Sequence, residues 1–180
     1  QALFYASFLT AVGFTAALFT NIPSLIIAIL SWVVSAAYAT KGKQTGLLGN
    51  FLVSICVAVP FIYGGFVVGK GFEMAIMLFV VMAFLSNTGR EITKGIVDIE
   101  GDRSQNIRTV AITYGEKTAA AIASILFILA VILSPLPLLL NLVSSLFIPL
   151  VTVTDIGLVA SSIVLIQDYS RKKARKIKNW

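Results

Sequence analysis

Residues 73–103 read EMAIMLFVVMAFLSNTGREITKGIVDIEGDR, an apolar run that continues directly into a cluster of charged and amide side chains. A helix needs about 20 mostly apolar residues to cross the hydrocarbon core of a bilayer, and a helix through 73–98 is long enough. The stretch therefore predicts a membrane-spanning helix whose last turns carry polar groups.

The composition of the whole chain supports the same fold class. Of its 180 residues, 58% are apolar and only 12% are charged, whereas about a quarter of the residues of a soluble protein are charged. The absence of histidine excludes His-ligated metals, and the single cysteine excludes a disulfide within the chain. We predict an all-α, polytopic transmembrane helical bundle of six spans, at residues 2–20, 23–40, 50–69, 73–98, 116–134 and 139–167.

Three residues inside the predicted spans are unusual for a membrane helix. Pro60 and Pro149 are expected to kink their helices, which neighbouring helices in a bundle tolerate. Asp155 lies in the last span, where a carboxylate needs a hydrogen-bonding partner or a water-lined cavity. A structural role and a site role are both open for it.

Basic residues divide unequally between the two ends of the predicted bundle. If six spans alternate in direction, Lys70 lies alone on one side and the other thirteen lysines and arginines lie on the opposite side. Cytoplasmic loops of membrane proteins carry this excess of positive charge. We therefore expect an integral, multi-pass protein of the cell membrane with its charged side in the cytoplasm, and no nucleic-acid partner.

The polar residues after Leu85 share one face of the predicted helix. They recur at helical offsets of three, four, seven and eleven residues: Asn87, Arg90 or Glu91, Lys94 and Asp98. Asp102 follows Asp98 by one further turn, so the two carboxylates could supply oxygen ligands to Mg²⁺, which substrate phosphates commonly complete. Arg90 and Lys94 could neutralise a diphosphate. The alternative is a surface helix end in which Lys94 and Asp98 form an ordinary ion pair.

A second polar segment is predicted at the same membrane face. Tyr38, Lys43 and Asn50 flank the turn at 45–49. They could add a diphosphate-binding cation and polar groups to the aspartate site. The alternative is a plain basic loop in which Asn50 caps the next helix.

These motifs resemble those of a known family. The sequence DIEGD at 98–102, preceded by REITK at 90–94, resembles the second aspartate-rich motif of the UbiA superfamily of intramembrane prenyltransferases. The loop KQTGLLGN at 43–50 is similar to the corresponding loop of archaeal members, especially the digeranylgeranylglyceryl phosphate synthases. The likeness extends over essentially all 180 residues.

The resemblance implies Mg²⁺-dependent transfer of a prenyl group, from a prenyl diphosphate donor to a lipid or aromatic acceptor, in contact with membrane lipids. It implies that Asp98 and Asp102 bind Mg²⁺, and that Lys43 and Lys94 contact the diphosphate or an acceptor phosphate. It also implies that four further residues help to bind the substrates: Tyr38, Asn50, Asn87 and Arg90.

The chain departs from the family pattern in two respects. The family has nine spanning helices and a first motif, NDxxDxxxD, that this sequence lacks. We therefore expect residues 1–180 to be one partial prenyltransferase domain, family helices 3–8, that does not turn over by itself. Gly95 also occupies a position where the family often has an acidic residue.

Three functions remain open at this point. The first is transfer of a geranylgeranyl group to geranylgeranylglyceryl phosphate, a step of archaeal ether-lipid synthesis. The second is an aromatic-acceptor polyprenyltransferase of quinone synthesis, of the 4-hydroxybenzoate type. The third is an ion-coupled transporter, although no paired broken helices or inverted repeats support it.

Overall fold

The computed structural model describes residues 1–178 and their side chains, except the side chains of Ala2, Lys43 and Lys178. All regular secondary structure in this range is helical. The helices follow one another as α1 (Ala2–Thr20), α2 (Ile22–Thr40), α3 (Leu47–Val67), α4 (Met74–Val97), α5 (Ile99–Ser104), α6 (Val110–Tyr114), α7 (Glu116–Leu133), α8 (Leu136–Leu139), α9 (Phe147–Gln167) and α10 (Arg171–Lys178). A 3₁₀ turn, Gly42–Thr45, joins α2 to α3.

Six of these helices, α1, α2, α3, α4, α7 and α9, are long and apolar enough to cross a membrane. The prediction of six spans in an all-α fold is therefore confirmed. The last span differs from its predicted limits of 139–167, because α8 ends before a loop in which Asn141 adopts a positive φ of 54°. Helix α9 consequently begins at Phe147.

The two prolines have different structural roles. Pro60 lies inside α3, as predicted. Pro149 does not interrupt its span, because α9 begins only two residues earlier. The backbone N–H groups of a first helical turn have no partner within the helix, so proline costs nothing there. The predicted kink at Pro149 is therefore wrong.

Helix α4 is the central element of the bundle and packs against α3, α7 and α10. Its C-terminal half is largely buried, and Ile92 and Ile96 are each only 1% exposed. Close packing with α7 requires a small residue at Gly89, since a Cβ there would lie 2.7 Å from the Phe127 ring. Helices α1 and α2 instead leave large apolar side chains exposed, a surface that suits lipid or further apolar helices.

Polar side chains join neighbouring helices inside the apolar region. Ser54 Oγ donates to the Asn50 carbonyl within α3 (2.8 Å), and it receives a hydrogen bond from Asn87 Nδ2 of α4 (3.1 Å). Between α7 and α9, Asp155 Oδ2 lies 2.6 Å from Ser134 Oγ. The expected partner of Asp155 is therefore a side chain. Such hydrogen bonds satisfy polar groups that lipid cannot.

Candidate active site

Three segments meet at one end of the bundle: the turn between α2 and α3, the stretch from Asp98 to Gly115, and α10. The turn and the stretch touch at Gly46, which has a φ of 64°, and a Cβ placed on it would overlap the carbonyl oxygen of Arg108. A second close approach joins Gly49 to the Gly42 carbonyl, where a Cβ would also overlap. Glycine at these positions therefore lets the segments dock tightly.

These segments enclose a polar cleft of about 430 Å³. Five residues singled out in the sequence line it: Tyr38, Asn50, Lys94, Asp98 and Asp102. They come from four different helices and the α4–α5 junction, so the fold brings together both polar segments that the sequence predicted at one membrane face. Lys43 belongs to the adjoining 3₁₀ turn, but its side chain lies outside the part that the structure describes.

The turn from α4 into α5 places the two aspartates on consecutive helical turns. Asp98 occupies the junction itself, with φ −103° and ψ 14°. The helical hydrogen-bond pattern nevertheless continues, because the Asp102 amide donates to the Asp98 carbonyl at 2.8 Å. Both residues line the polar cleft. The four-residue spacing therefore gives the common face that the sequence predicted.

The donors of this cleft fit a divalent cation such as Mg²⁺. Carboxylate oxygens are hard ligands, and Mg²⁺ is commonly bound by one or two carboxylates while water and substrate phosphates fill its remaining positions. Within residues 1–178, no group of three or more Asp, Glu, Cys or His side chains is close enough to hold a metal by itself. Asp98 and Asp102 are thus suited to a metal shared with a phosphate ligand.

Glu91 is a buried carboxylate of the cleft whose orientation the sequence did not decide. Its side chain is only 9% exposed, and Lys94 Nζ donates to both of its oxygens, at 2.9 and 2.7 Å. Arg90 Nη1 lies 3.4 Å from the same carboxylate. The ammonium of Lys94 is therefore held in the cleft wall. The three-residue spacing of Glu91 and Lys94 was the signal in the sequence for this pair.

Asn87 and Arg90 do not line the polar cleft. Both border a second, mainly apolar cleft of about 560 Å³ between α3, α4 and α9. Asn87 is held there by its hydrogen bond to Ser54, whereas the Arg90 side chain is half exposed. Their helical positions alone could not reveal this, because residues on one face of a helix but up to three turns apart lie at different depths and meet different neighbouring helices.

The apolar cleft continues deeper along the helices. A third cleft, of about 340 Å³, shares several lining residues with the second, among them Phe61 and Ala83. Aromatic rings line this continuation: the ring centroids of Phe61 and Phe79 are 6.1 Å apart, and those of Phe79 and Phe147 are 5.6 Å apart. The arrangement suits a long hydrocarbon chain whose charged end lies near the C-terminal end of α4.

The structure adds cleft residues that sequence reasoning missed. They are Gly95, Gly101, Gln105, Ile107, Thr109 and Arg171. Arg171 arrives from the distant α10, after a turn in which Asp168 Oδ1 accepts from the Ser170 amide at 3.0 Å. Hydrogen bonds from the Ser170 side chain and amide lower the pKa of Asp168. No periodicity in the sequence connects Arg171 with the aspartates.

Comparison with known proteins gives a consistent result. A digeranylgeranylglyceryl phosphate synthase of Archaeoglobus fulgidus is 40% identical over 77% of this chain and 48% of its own length. One from Methanosphaera stadtmanae is 33% identical over the whole chain and 65% of its own length. The chain thus spans roughly half to two thirds of these relatives.

A solved structure concerned with digeranylgeranylglyceryl phosphate synthase in membranes superposes with a TM-score of 0.83 at 32% identity, covering 99% of this chain and 63% of that one. The profile of the UbiA prenyltransferase family matches residues 1–180. The all-helical membrane fold, the sequence relatives and the profile agree. The chain therefore belongs to the UbiA prenyltransferase family.

Proposed function

We propose that this chain forms part of the site of a Mg²⁺-dependent intramembrane prenyltransferase that transfers a geranylgeranyl group from its diphosphate to geranylgeranylglyceryl phosphate. The observation that carries the proposal is the juxtaposition of a polar, acid-lined cleft with an apolar cleft along the same helix, α4. A prenyl diphosphate has these two parts, a charged head and a hydrocarbon tail.

The head of the donor is assigned to the polar cleft. Asp98 and Asp102 would hold Mg²⁺, which when bound stabilises the negative charge that develops on a departing diphosphate. Lys94 presents a cation at the same wall, and Glu91 fixes its position. Tyr38 and Asn50, which also line the cleft, supply polar groups for the head.

The hydrocarbon tail is assigned to the apolar clefts. There Phe61, Phe79 and Phe147 provide a water-poor, aromatic wall. Arg90 and Asn87 border the mouth of the second cleft and are assigned to the region between head and tail. Aromatic faces stabilise a nearby positive charge, and exclusion of water protects a reactive carbocation from hydrolysis.

The reaction breaks one carbon–oxygen bond and makes another. The allylic carbon separates from the diphosphate oxygen, which keeps the electron pair. The hydroxyl oxygen of the acceptor then bonds to this carbon and loses its proton, which leaves with the diphosphate. The products are an ether and diphosphate, so atoms and charge balance without a redox partner.

The choice of acceptor and the orientation rest on two further observations. Several relatives of 30–40% identity are named digeranylgeranylglyceryl phosphate synthase, which favours a glyceryl phosphate lipid over a carboxylated phenol. The basic segments around the polar cleft indicate the cytoplasmic face. We therefore assign the reaction to the cytoplasmic side of the cell membrane.

The test uses membranes of cells that produce the protein at its native length. Labelled geranylgeranyl diphosphate is offered with geranylgeranylglyceryl phosphate or 4-hydroxybenzoate, with Mg²⁺ or with a chelator. We expect Mg²⁺-dependent product from the glyceryl phosphate alone. Product from the phenol alone would transfer the proposal to quinone synthesis, and ion flux without prenyl transfer would support a transporter.

Substitution of the two aspartates tests whether the reaction takes place in the polar cleft. Asp98→Asn and Asp102→Asn should each lower the rate more than about tenfold, because an amide is a poor ligand for Mg²⁺. Glu73→Gln, which changes an exposed carboxylate next to α4's other end, is the matched control and should retain the rate. If both aspartate variants keep the wild-type rate, the assignment of Mg²⁺ to this cleft is wrong.

A further inference from the structure

Arg171 is a cation of the polar cleft that the proposed reaction has not yet used. It is the first residue of α10, and its guanidinium donates to Glu100 Oε2 at 2.6 Å. This pair joins residues 71 positions apart in the chain. We propose that Arg171 binds the phosphate of the acceptor lipid and exchanges Glu100 for it on binding, an inference that rests on the proposed function.

The position of Arg171 does not depend on its ion pair. On the inner face of α10, Ala174 is fully buried and Ile177 is 6% exposed, and the helix packs against α4. The turn before α10 is closed by the hydrogen bond between Asp168 and the Ser170 amide. The backbone of Arg171 is therefore held beside the cleft whether or not its guanidinium is bonded to Glu100.

The ion pair is suited to exchange. The Glu100 side chain is 80% exposed and that of Arg171 is 47% exposed. Ion pairs this accessible to water contribute little to stability, so replacing the carboxylate costs little. A guanidinium also has five N–H donors in a planar fork, which matches two oxygens of a phosphate.

The phosphate of the acceptor lipid, which would be the second anion in the cleft after the diphosphate, requires a cation of its own. Both substrates carry phosphate groups, and the diphosphate is assigned to the aspartate wall. Among the cleft side chains that the structure describes, the cations are Lys94 and Arg171. Lys94 is held by the buried Glu91, so it is not released easily. Arg171, contributed by a different helix, is the cation that an acceptor phosphate can recruit.

The test compares KM values for the two substrates in membranes containing the protein at its native length. Loss of a hydrogen-bonded charge pair should raise the KM for geranylgeranylglyceryl phosphate about tenfold or more in Arg171→Ala. The KM for geranylgeranyl diphosphate should stay within about twofold. Arg171→Lys keeps the positive charge but lacks the planar fork of donors. Its KM for geranylgeranylglyceryl phosphate should lie between those of the wild type and Arg171→Ala. Lys172→Ala removes an exposed charge from the same helix and is the matched control.

Glu100→Gln separates phosphate binding from a structural role of the ion pair. If Glu100 competes with the phosphate, its removal should lower the acceptor KM, in the opposite direction to Arg171→Ala. If both substitutions raise the acceptor KM alike, the pair is structural and the inference is overturned. An unchanged acceptor KM in Arg171→Ala also overturns it, while prenyl transfer by the wild type would leave the proposed function intact.

Discussion

Gly46→Ala tests whether the docked loops build the polar cleft. The residue has φ 64° and ψ −116°, and its Cα faces the carbonyl of Arg108. An L-residue in such a sparsely populated backbone region costs about 1–3 kcal/mol. The added Cβ would also overlap a backbone oxygen, which cannot rotate away as a side chain does, so the turn has to leave the Asp98–Gly115 stretch.

Together these effects predict a loss of about 3 kcal/mol or more in the free energy of unfolding. For a chain of this size, about 1 kcal/mol shifts the melting temperature by about 2–4 °C, so we expect a decrease of about 6–12 °C. The assay is thermal unfolding of the purified protein in detergent, followed by tryptophan fluorescence. Prenyl transfer measured below the melting transition should also fall, since the cleft wall is displaced.

Gly13→Ala is the matched control, because a Cβ on this residue of α1 meets nothing within 4 Å. Alanine favours helix there, so the control should melt at the wild-type temperature or slightly above it. Equal melting temperatures for Gly46→Ala and the wild type would refute the argument. They would mean that the turn adopts another conformation at no cost.

Two further substitutions test the cleft walls. Glu91→Ala removes the buried hydrogen-bond partner of Lys94, which stays partly exposed, and should destabilise the protein by about 1–3 kcal/mol in the same melting assay. Glu73→Ala breaks an exposed pair of the same spacing and should cost less than about 0.5 kcal/mol. Equal losses would show that burial of Glu91 is unimportant. Ala83→Phe places a ring where the two apolar clefts join, so it should shorten the longest prenyl diphosphate accepted, measured with donors of increasing length. An unchanged length profile would place the tail elsewhere.

The spans were predictable from sequence because each is a long apolar run bounded by polar or glycine-rich segments. The exceptions depend on local backbone chemistry. Asn50 was considered as a helix cap, but α3 already begins at Leu47, after the positive φ of Gly46. The start of α9 was misjudged because the apolar loop before Phe147 has the same composition as the helix that follows. Hydropathy alone cannot distinguish these conformations.

The candidate site was predictable where its residues are close in sequence. Asp98 and Asp102 share a face because one helical turn separates them, whichever helix they belong to. Tyr38 was placed at the same membrane face by counting spans. The sequence could not separate Arg90 from Lys94, which border different clefts, since the answer depends on how α3 and α9 pack around α4. The place of Arg171 in the polar cleft could not be predicted for the same reason, because it depends on how α10 packs against α4.

The central place of α4 has a consequence for how the protein tolerates mutation. Its neighbours enclose it from several directions, and both types of cleft open along it. Most side chains in its C-terminal half therefore meet protein, whereas many large apolar side chains of α1 and α2 are exposed in the described chain. We expect a saturation screen for activity to show a gradient, with the buried residues of α4 least tolerant and the exposed faces of α1 and α2 accepting most apolar residues.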